Sequence, residues 1–273
     1  MSINTAVIAI KFQPNNDYLN LVLYICKKSA NMKNQSIVTM DSYQLKAGLT
    51  PAIITLLPLF PILFYCVPGI NSITDFAFPL IVISALLYIL ASICRTLGRN
   101  MEKKIFNSWG GKPTSVLLRQ TDTTIDRQTK ARYYSTIHNL LPDLHLPTKS
   151  EEEADMENCD EIYDSVSKYL RANTRSAEHQ LLKCENEDYG MWRNIYGLKC
   201  ISIWVATLAV PVYVILMVLG QMSYTFSCFG LVLSLCGIVF QVFVVRERMI
   251  KVHAFRYAER LLEILDAYNN KQL

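Results

Sequence analysis

The sequence predicts an all-α membrane protein: two transmembrane helical hairpins with a cytoplasmic helical domain inserted between them. Three observations carry that expectation. Four apolar runs contain no Asp, Glu, Lys, Arg or His. Short links pair the runs, and one long polar segment separates the two pairs. The chain has 273 residues, of which 51% are hydrophobic and 18% charged, with a mean hydropathy of +0.20. A soluble domain carries about 25% charged residues. A disordered chain would need low hydrophobicity and high net charge. With 10 Gly and 10 Pro, the chain is no Gly/Pro-rich repeat.

The apolar runs are 49–67, 76–94, 200–219 and 225–245. Each is close to the roughly 20 residues that a helix needs to cross about 30 Å of hydrocarbon. Residues 68–75 and 220–224 join them in pairs, and links that short imply antiparallel neighbours. Neither link holds Lys or Arg, whereas the opposite flanks carry Lys46, Arg95, Arg99, Lys103, Lys104, Arg193, Lys199, Arg246, Arg248 and Lys251. The positive-inside rule then places both termini and the middle segment in the cytoplasm. The expected organisation is an N-terminal tail at 1–45, hairpins at 46–94 and 200–245, a cytoplasmic domain at 95–199 and a C-terminal amphipathic helix at 246–273.

Residues 1–39 differ from the rest. Tyr18 to Cys26 is apolar but too short to span, and no small-residue cleavage site follows it. We expect a native start at Met40 or Met32, with 1–39 a loose tail or an artefact of the gene start.

The insert reads as helical. Arg95 to Ser108 should continue the second span outward, stopped by Gly110, Gly111 and Pro113. Thr124 to Leu141 is a second helix, ended by Pro142. Thr148 and Glu151 have capping-box spacing. Asp160 to Ala172 is amphipathic, with Ile162, Val166, Tyr169 and Leu170 on one face. Glu178 to Lys199 runs into the third span, with Gly190 and Gly197 as weak points. Residues 95–132 hold nine Lys/Arg against three Asp/Glu, net +6, and residues 133–199 hold seven against thirteen, net −6. Either the two halves fold against each other, or Arg95, Arg99, Lys103, Lys104 and Lys112 form a basic surface for an anionic lipid or a phosphorylated ligand. The first reading is the simpler.

Trp109-Gly110-Gly111-Lys112-Pro113-Thr114 is the most unusual local stretch. Its glycines and Lys112 could approach a phosphate, but it lacks P-loop spacing and no strand precedes it. A structural turn of Trp109, Gly110, Gly111 and Pro113 is the better reading. If the helix continues, Trp109 lies about 20 Å beyond the membrane edge, too far for an interfacial belt. Asp122 and Asp126, and likewise Glu157, Asp160, Glu161 and Asp164, would share helix faces. Such carboxylates can act in acid–base or metal chemistry, though a solvated face is commoner. The eight cysteines include no CxxC. A zinc site would need Cys159 and Cys184 to meet two of His138, His145 and His179, and no tight ligand spacing supports that. No catalytic residue, cofactor site or metal site is assigned, and no nucleic-acid partner is expected.

Pro51, Pro58 and Pro61 in the first span and Pro211 in the third free backbone carbonyls that neighbours or water must satisfy. Gly230 and Ser234 form a small-xxx-small pair suited to helix contact. Arg246 to Tyr268 continues the last span, with Ile250, Ala254, Ala258, Leu261, Leu262 and Leu265 as an apolar face for packing on the insert.

Gly98-Arg99-Asn100-Met101-Glu102-Lys103-Lys104, the Trp109–Thr114 stretch, Leu118-Arg119, Asp122, Thr129–Tyr133, Leu146-Pro147-Thr148, Thr174-Arg175, Glu185–Gly190, Arg193-Asn194 and Gly197-Leu198-Lys199 together resemble a group of uncharacterised bacterial four-helix integral membrane proteins. The resemblance covers about residues 45–245. It implies a shared fold in the bacterial inner membrane and supplies no activity or catalytic residue. The expected function is a non-enzymatic, homo-oligomeric pore or membrane effector controlled by its cytoplasmic domain. The alternative is a membrane scaffold or accessory subunit that recruits a cytoplasmic protein.

Overall fold

The structure, a computed structural model, describes residues 42–65, 73–174 and 179–271. All of them belong to the compact unit Asp41–Leu273. Expectations for residues 1–39, for most of the 68–75 link and for Cys26 and Cys66 lie outside the described residues. No strand occurs among those described. Among the described residues, four helices are long and apolar enough to cross a membrane.

The first, α1 (residues 44–65), is a chain of short pieces. It runs from a π segment, Gln44–Leu49, through an α segment, Thr50–Leu56, and a 3-10 turn, Leu57–Leu59, to the α segment Phe60–Tyr65. Pro51, Pro58 and Pro61 explain the changes of pitch, because each removes an N–H from the ladder. Neighbours serve the polar groups left over. The Tyr213 hydroxyl donates to the Pro58 carbonyl at 2.6 Å, and the Thr55 and Ser202 hydroxyls meet at 2.6 Å.

Helix α2 (Ile73–Ser108) spans 36 residues without a break. It ends where expected. The Gly111 N–H donates to the Phe106 carbonyl and the Gly110 N–H to the Asn107 carbonyl. That is a Schellman stop, with Gly110 at φ 83° and Gly111 at φ 142°. Next come α3 (Pro113–Leu118), α4 (Arg127–Leu140), α5 (Lys149–Ala154) and α6 (Met156–Asn173). Helix α4 starts later than expected because the Asp126 carboxylate accepts the Thr129 N–H at 2.9 Å and caps it. Asp122 stands outside the helix, accepting the Thr124 N–H at 2.9 Å. The two therefore do not share a helix face. Helix α6 buries Cys159, Tyr163, Val166 and Leu170. Its apolar stripe is thus rotated from the expected one, leaving Ile162 and Tyr169 half-buried.

Helix α7 (Gln180–Val218) runs for 39 residues through both Gly190 and Gly197. Neither is a weak point. Helix α8 (Tyr224–Val239) passes into a π segment, Phe240–Val244. The C-terminal helix, α9 (Glu247–Lys271), does not continue it, since the chain leaves helical geometry at Val245 (φ −78°, ψ 86°). Lys199 Nζ donates to the freed Val245 carbonyl at 2.8 Å. The expected apolar face of α9 is buried throughout, and Leu261, Leu262 and Leu265 share a core with Leu117, Ile137 and Tyr163.

Thr148 and Glu151 form the capping box of α5. Accepting the Thr148 N–H, with further help from the Thr148 hydroxyl and His145, holds the Glu151 carboxyl at about 2 against an ordinary 4.5. A depressed carboxylate stabilises fully above its unfolded value and loses that contribution as pH falls. Protection of the Thr148 amide, followed by NMR hydrogen exchange, should therefore fall between pH 4.5 and 2.

Candidate functional site

The apolar and polar halves of the fold are joined by the two long helices. They meet at Gly98 of α2 and Gly197 of α7. A Cβ on Gly197 would lie 2.6 Å from the Gly98 backbone nitrogen, and one on Gly98 would lie 2.3 Å from Asn194 Oδ1. Only a residue without a side chain allows backbones this close. Gly190 plays the same part toward α1, where a Cβ would meet the Tyr43 hydroxyl at 2.8 Å and Ala47 at 3.0 Å.

Above that crossing lies a buried polar network. Asn194, fully buried, donates to the Ala47 carbonyl at 2.6 Å and accepts from Arg193 Nε at 3.2 Å. The Arg193 guanidinium reaches Glu102 on α2 at 3.3 Å and the Tyr43 hydroxyl at 3.4 Å. Tyr189 donates to the same Glu102 carboxylate. Lys46 pairs with Asp188 at 2.7 Å, and Ser42 donates to Glu187 at 2.5 Å. Residues from α1, α2 and α7 thus neutralise one another at a single level. A buried arginine keeps its place only when its charge and its donors are met.

A cavity of about 210 Å³ opens beside this network. Glu102, Phe106, Lys112, Asp164, Tyr189 and Tyr257 are among its lining residues. Asp164 is 8% exposed, and its Oδ1 has no hydrogen-bond partner. Its other oxygen pairs with Lys112 at 2.8 Å and Lys168 at 3.0 Å. Burial alone would raise the Asp164 pKa. The two lysines outweigh burial and hold the carboxyl below its ordinary value.

The Trp109 turn is stitched to its surroundings. Trp109 Nε1 and the Ser108 hydroxyl each donate to Glu247 Oε1 at 2.7 Å. The Trp109 ring packs between Phe106 and Phe255, with centroids at 5.7 and 6.1 Å. Arg119 clamps the turn to α6. Its Nε and Nη2 meet Asp160 at 2.9 and 2.5 Å, and Nη2 also donates to the Gly110 carbonyl at 2.6 Å. The Gly110 and Gly111 amides close the end of α2, so they do not cradle a phosphate.

The five basic candidates do not converge. Lys103 and Lys112 line an open depression together with Glu157, Asp160, Glu161 and Asp164. They face carboxylates there, and the positive and negative halves of the insert do pair, through Arg119–Asp160 and Lys112–Asp164. Arg95, Arg99 and Lys104 lie outside that depression. Arg95 is half-buried and donates to the Ala91 carbonyl at 3.2 Å, while Arg99 and Lys104 are exposed. Gly230 does serve helix contact, but within the chain, while Ser234 bonds inside its own helix. A Cβ on Gly230 would lie 2.2 Å from the Tyr213 ring, and the buried Ser234 hydroxyl donates to the Gly230 carbonyl at 2.8 Å.

Sequence reasoning names Arg193 as a flanking charge and places Glu102, Tyr189, Arg193 and Asn194 among the motifs of the resemblance, but assigns no contact between them. The available signal was an Arg-Asn pair set between two glycines at the mouth of an apolar run. Among the described residues, the group with metal-ligand proximity is Glu185, Asp188 and His253, not the cysteine–histidine set. Neither family models, curated proteins nor solved structures match the chain.

Three substitutions check this junction, with Gly237→Ala as a control elsewhere. Gly197→Ala should destabilise the detergent-solubilised protein by about 1–3 kcal/mol, the usual cost of overpacking. Gly237→Ala, whose Cβ meets nothing closer than 3.6 Å, should not lower the unfolding temperature and should raise it slightly through helix propensity. Glu102→Gln leaves the Arg193 charge uncompensated and should cost about 3 kcal/mol. Adding Arg193→Met should recover part of that loss in a double-mutant cycle read by the unfolding temperature.

Proposed function

We propose that the chain is a non-enzymatic membrane effector, working as an oligomer, in which the polar helices control the arrangement of the spans. In this reading the insert and both termini are cytoplasmic, the membrane is the bacterial inner membrane, and the oligomer opens a pore. The observation that carries the proposal is the pair of unbroken helices α2 and α7. Each belongs to both halves of the fold, and they are locked together at Gly98 and Gly197. At 1.5 Å per residue, the 39 residues of α7 extend for about 58 Å. A displacement at the polar end therefore has a stiff path to the apolar end. The 210 Å³ cavity touches both long helices, through Glu102 and Phe106 on α2 and Tyr189 on α7. A ligand held there would bias their relative position, which is how binding shifts an equilibrium between two arrangements.

Gly230 on α8 is already covered by Tyr213 and Ser234 is buried, so self-association needs another face. The span of α2 offers one. Leu80, Ile81, Tyr88 and Ile89 are all exposed, and only 6% of its apolar window is buried within the chain. Helix packing in a bilayer rests on van der Waals fit rather than on a hydrophobic drive, and an open face of this length provides the area.

The test is reconstitution in liposomes. A Tyr88→Cys variant should crosslink to a second copy through α2, and the wild-type protein should release a trapped ionic dye. Gly197→Ala should change the release rate. Monomers throughout, with liposomes that stay sealed for every variant, would contradict the proposal.

A further inference from the structure

We propose that Glu185, Asp188 and His253 form a binding site for a divalent transition-metal cation of the zinc class, one that clamps α7 to α9 beside the start of α1. Glu185 and Asp188 stand three residues apart on α7 and share its face. His253 reaches them from α9. One ligand atom from each of the three lies within 4.8 Å of the other two. Bonds of about 2.0–2.2 Å in a tetrahedral site put neighbouring ligands about 3.4 Å apart. Side-chain rotation of roughly 1 Å closes that difference.

The group is more than an acidic patch. His253 Nδ1 is shut off from solvent and has no hydrogen-bond partner. A buried polar atom in that state costs free energy unless something meets it. Burial also pulls the His253 pKa below its ordinary value, although Asp188 and Glu185 oppose this. The uncharged imidazole is the form that ligates metals. The Trp192 ring stacks on His253 with centroids 5.8 Å apart, which fixes the imidazole plane.

Among the described residues, three cations act on the group, one of them Arg260, which acts on Glu185. Arg256 acts on His253 from its own helix, and Lys46 holds Asp188 at 2.7 Å from α1. The Lys46 ammonium is the incoming metal's direct competitor. Metal binding would exchange the Lys46–Asp188 tie between α1 and α7 for a bond between α7 and α9. One imidazole with two carboxylates suits zinc, cobalt or manganese, whereas magnesium prefers oxygen ligands and retained water. Three protein ligands leave a coordination position for water. The proposal is independent of pore formation.

The full-length chain, purified in detergent and stripped with EDTA, should bind Zn²⁺ at one equivalent, as followed by calorimetry. Co²⁺ should give d–d absorption, and tryptophan fluorescence should change through Trp192. His253→Gln, checked for retained helicity, should weaken binding by at least about a hundredfold, since loss of an outer-shell partner alone costs 10–100-fold. Glu185→Gln should weaken it as well. Lys46→Met should tighten it several-fold by removing the competitor. Cys184→Ser should leave affinity unchanged. The proposal is overturned if the wild-type protein binds neither metal, if His253→Gln binds as the wild type does, or if Cys184→Ser abolishes binding.

Discussion

The close approach of α2 and α7 at Gly98 and Gly197 is the constraint on which the rest of the junction depends. With a Cβ on Gly197 only 2.6 Å from a backbone nitrogen, neither helix can move toward the other, and any side chain would drive them apart. That spacing brings Glu102 within reach of Arg193 and sets Tyr189 against the same carboxylate. It also lets Asn194 turn to the Ala47 carbonyl in the π segment of α1. Three helices are tied at one level because two of them touch backbone to backbone.

The polar half is built on the same logic of mutual neutralisation. Arg119 meets Asp160 and also holds the carbonyl of the glycine turn, so one side chain joins the end of α2 to α6. Glu152, buried, accepts the Gln120 and Thr121 amides and the Tyr163 hydroxyl. Lys130, also buried, donates to the Arg119 and Asp122 carbonyls. Buried charges of this kind contribute specificity when every partner is present and cost heavily when one is lost. Helix α9 then covers the assembly with its apolar stripe, and Glu247 pins the Trp109 turn to its first residue.

Much of the fold was legible in the sequence wherever the signal is local. Uncharged runs of the right length marked the apolar helices. Gly110 and Gly111 marked the end of α2, Thr148 with Glu151 marked a helix start, and the spacing from Ile250 to Leu265 marked a buried face. What escaped is long-range. Gly190 and Gly197 look like weak points because an isolated glycine lowers helix propensity, and nothing near them in the chain names Gly98 or Ala47 as the surfaces they touch. The Glu102–Arg193 pair has the same character: each residue looks like an ordinary flanking charge until the crossing places them together. The end of α8 also escaped. No Gly or Pro marks Val245, and the break rests on Lys199, which takes the carbonyl from another helix. Gly230 pointed correctly to close contact, but only the fold shows that Tyr213 fills it.

The account rests on α7 being one rigid element from Gln180 to Val218, held where it crosses α2. Hydrogen-exchange mass spectrometry on the protein in lipid nanodiscs tests that most directly. It should find slow exchange at every resolved amide from Tyr189 to Ser202, with no gap at Gly190 or Gly197. A fast-exchanging window centred on those two glycines, flanked by protected helix on both sides, would mean a hinge where the account requires a lock.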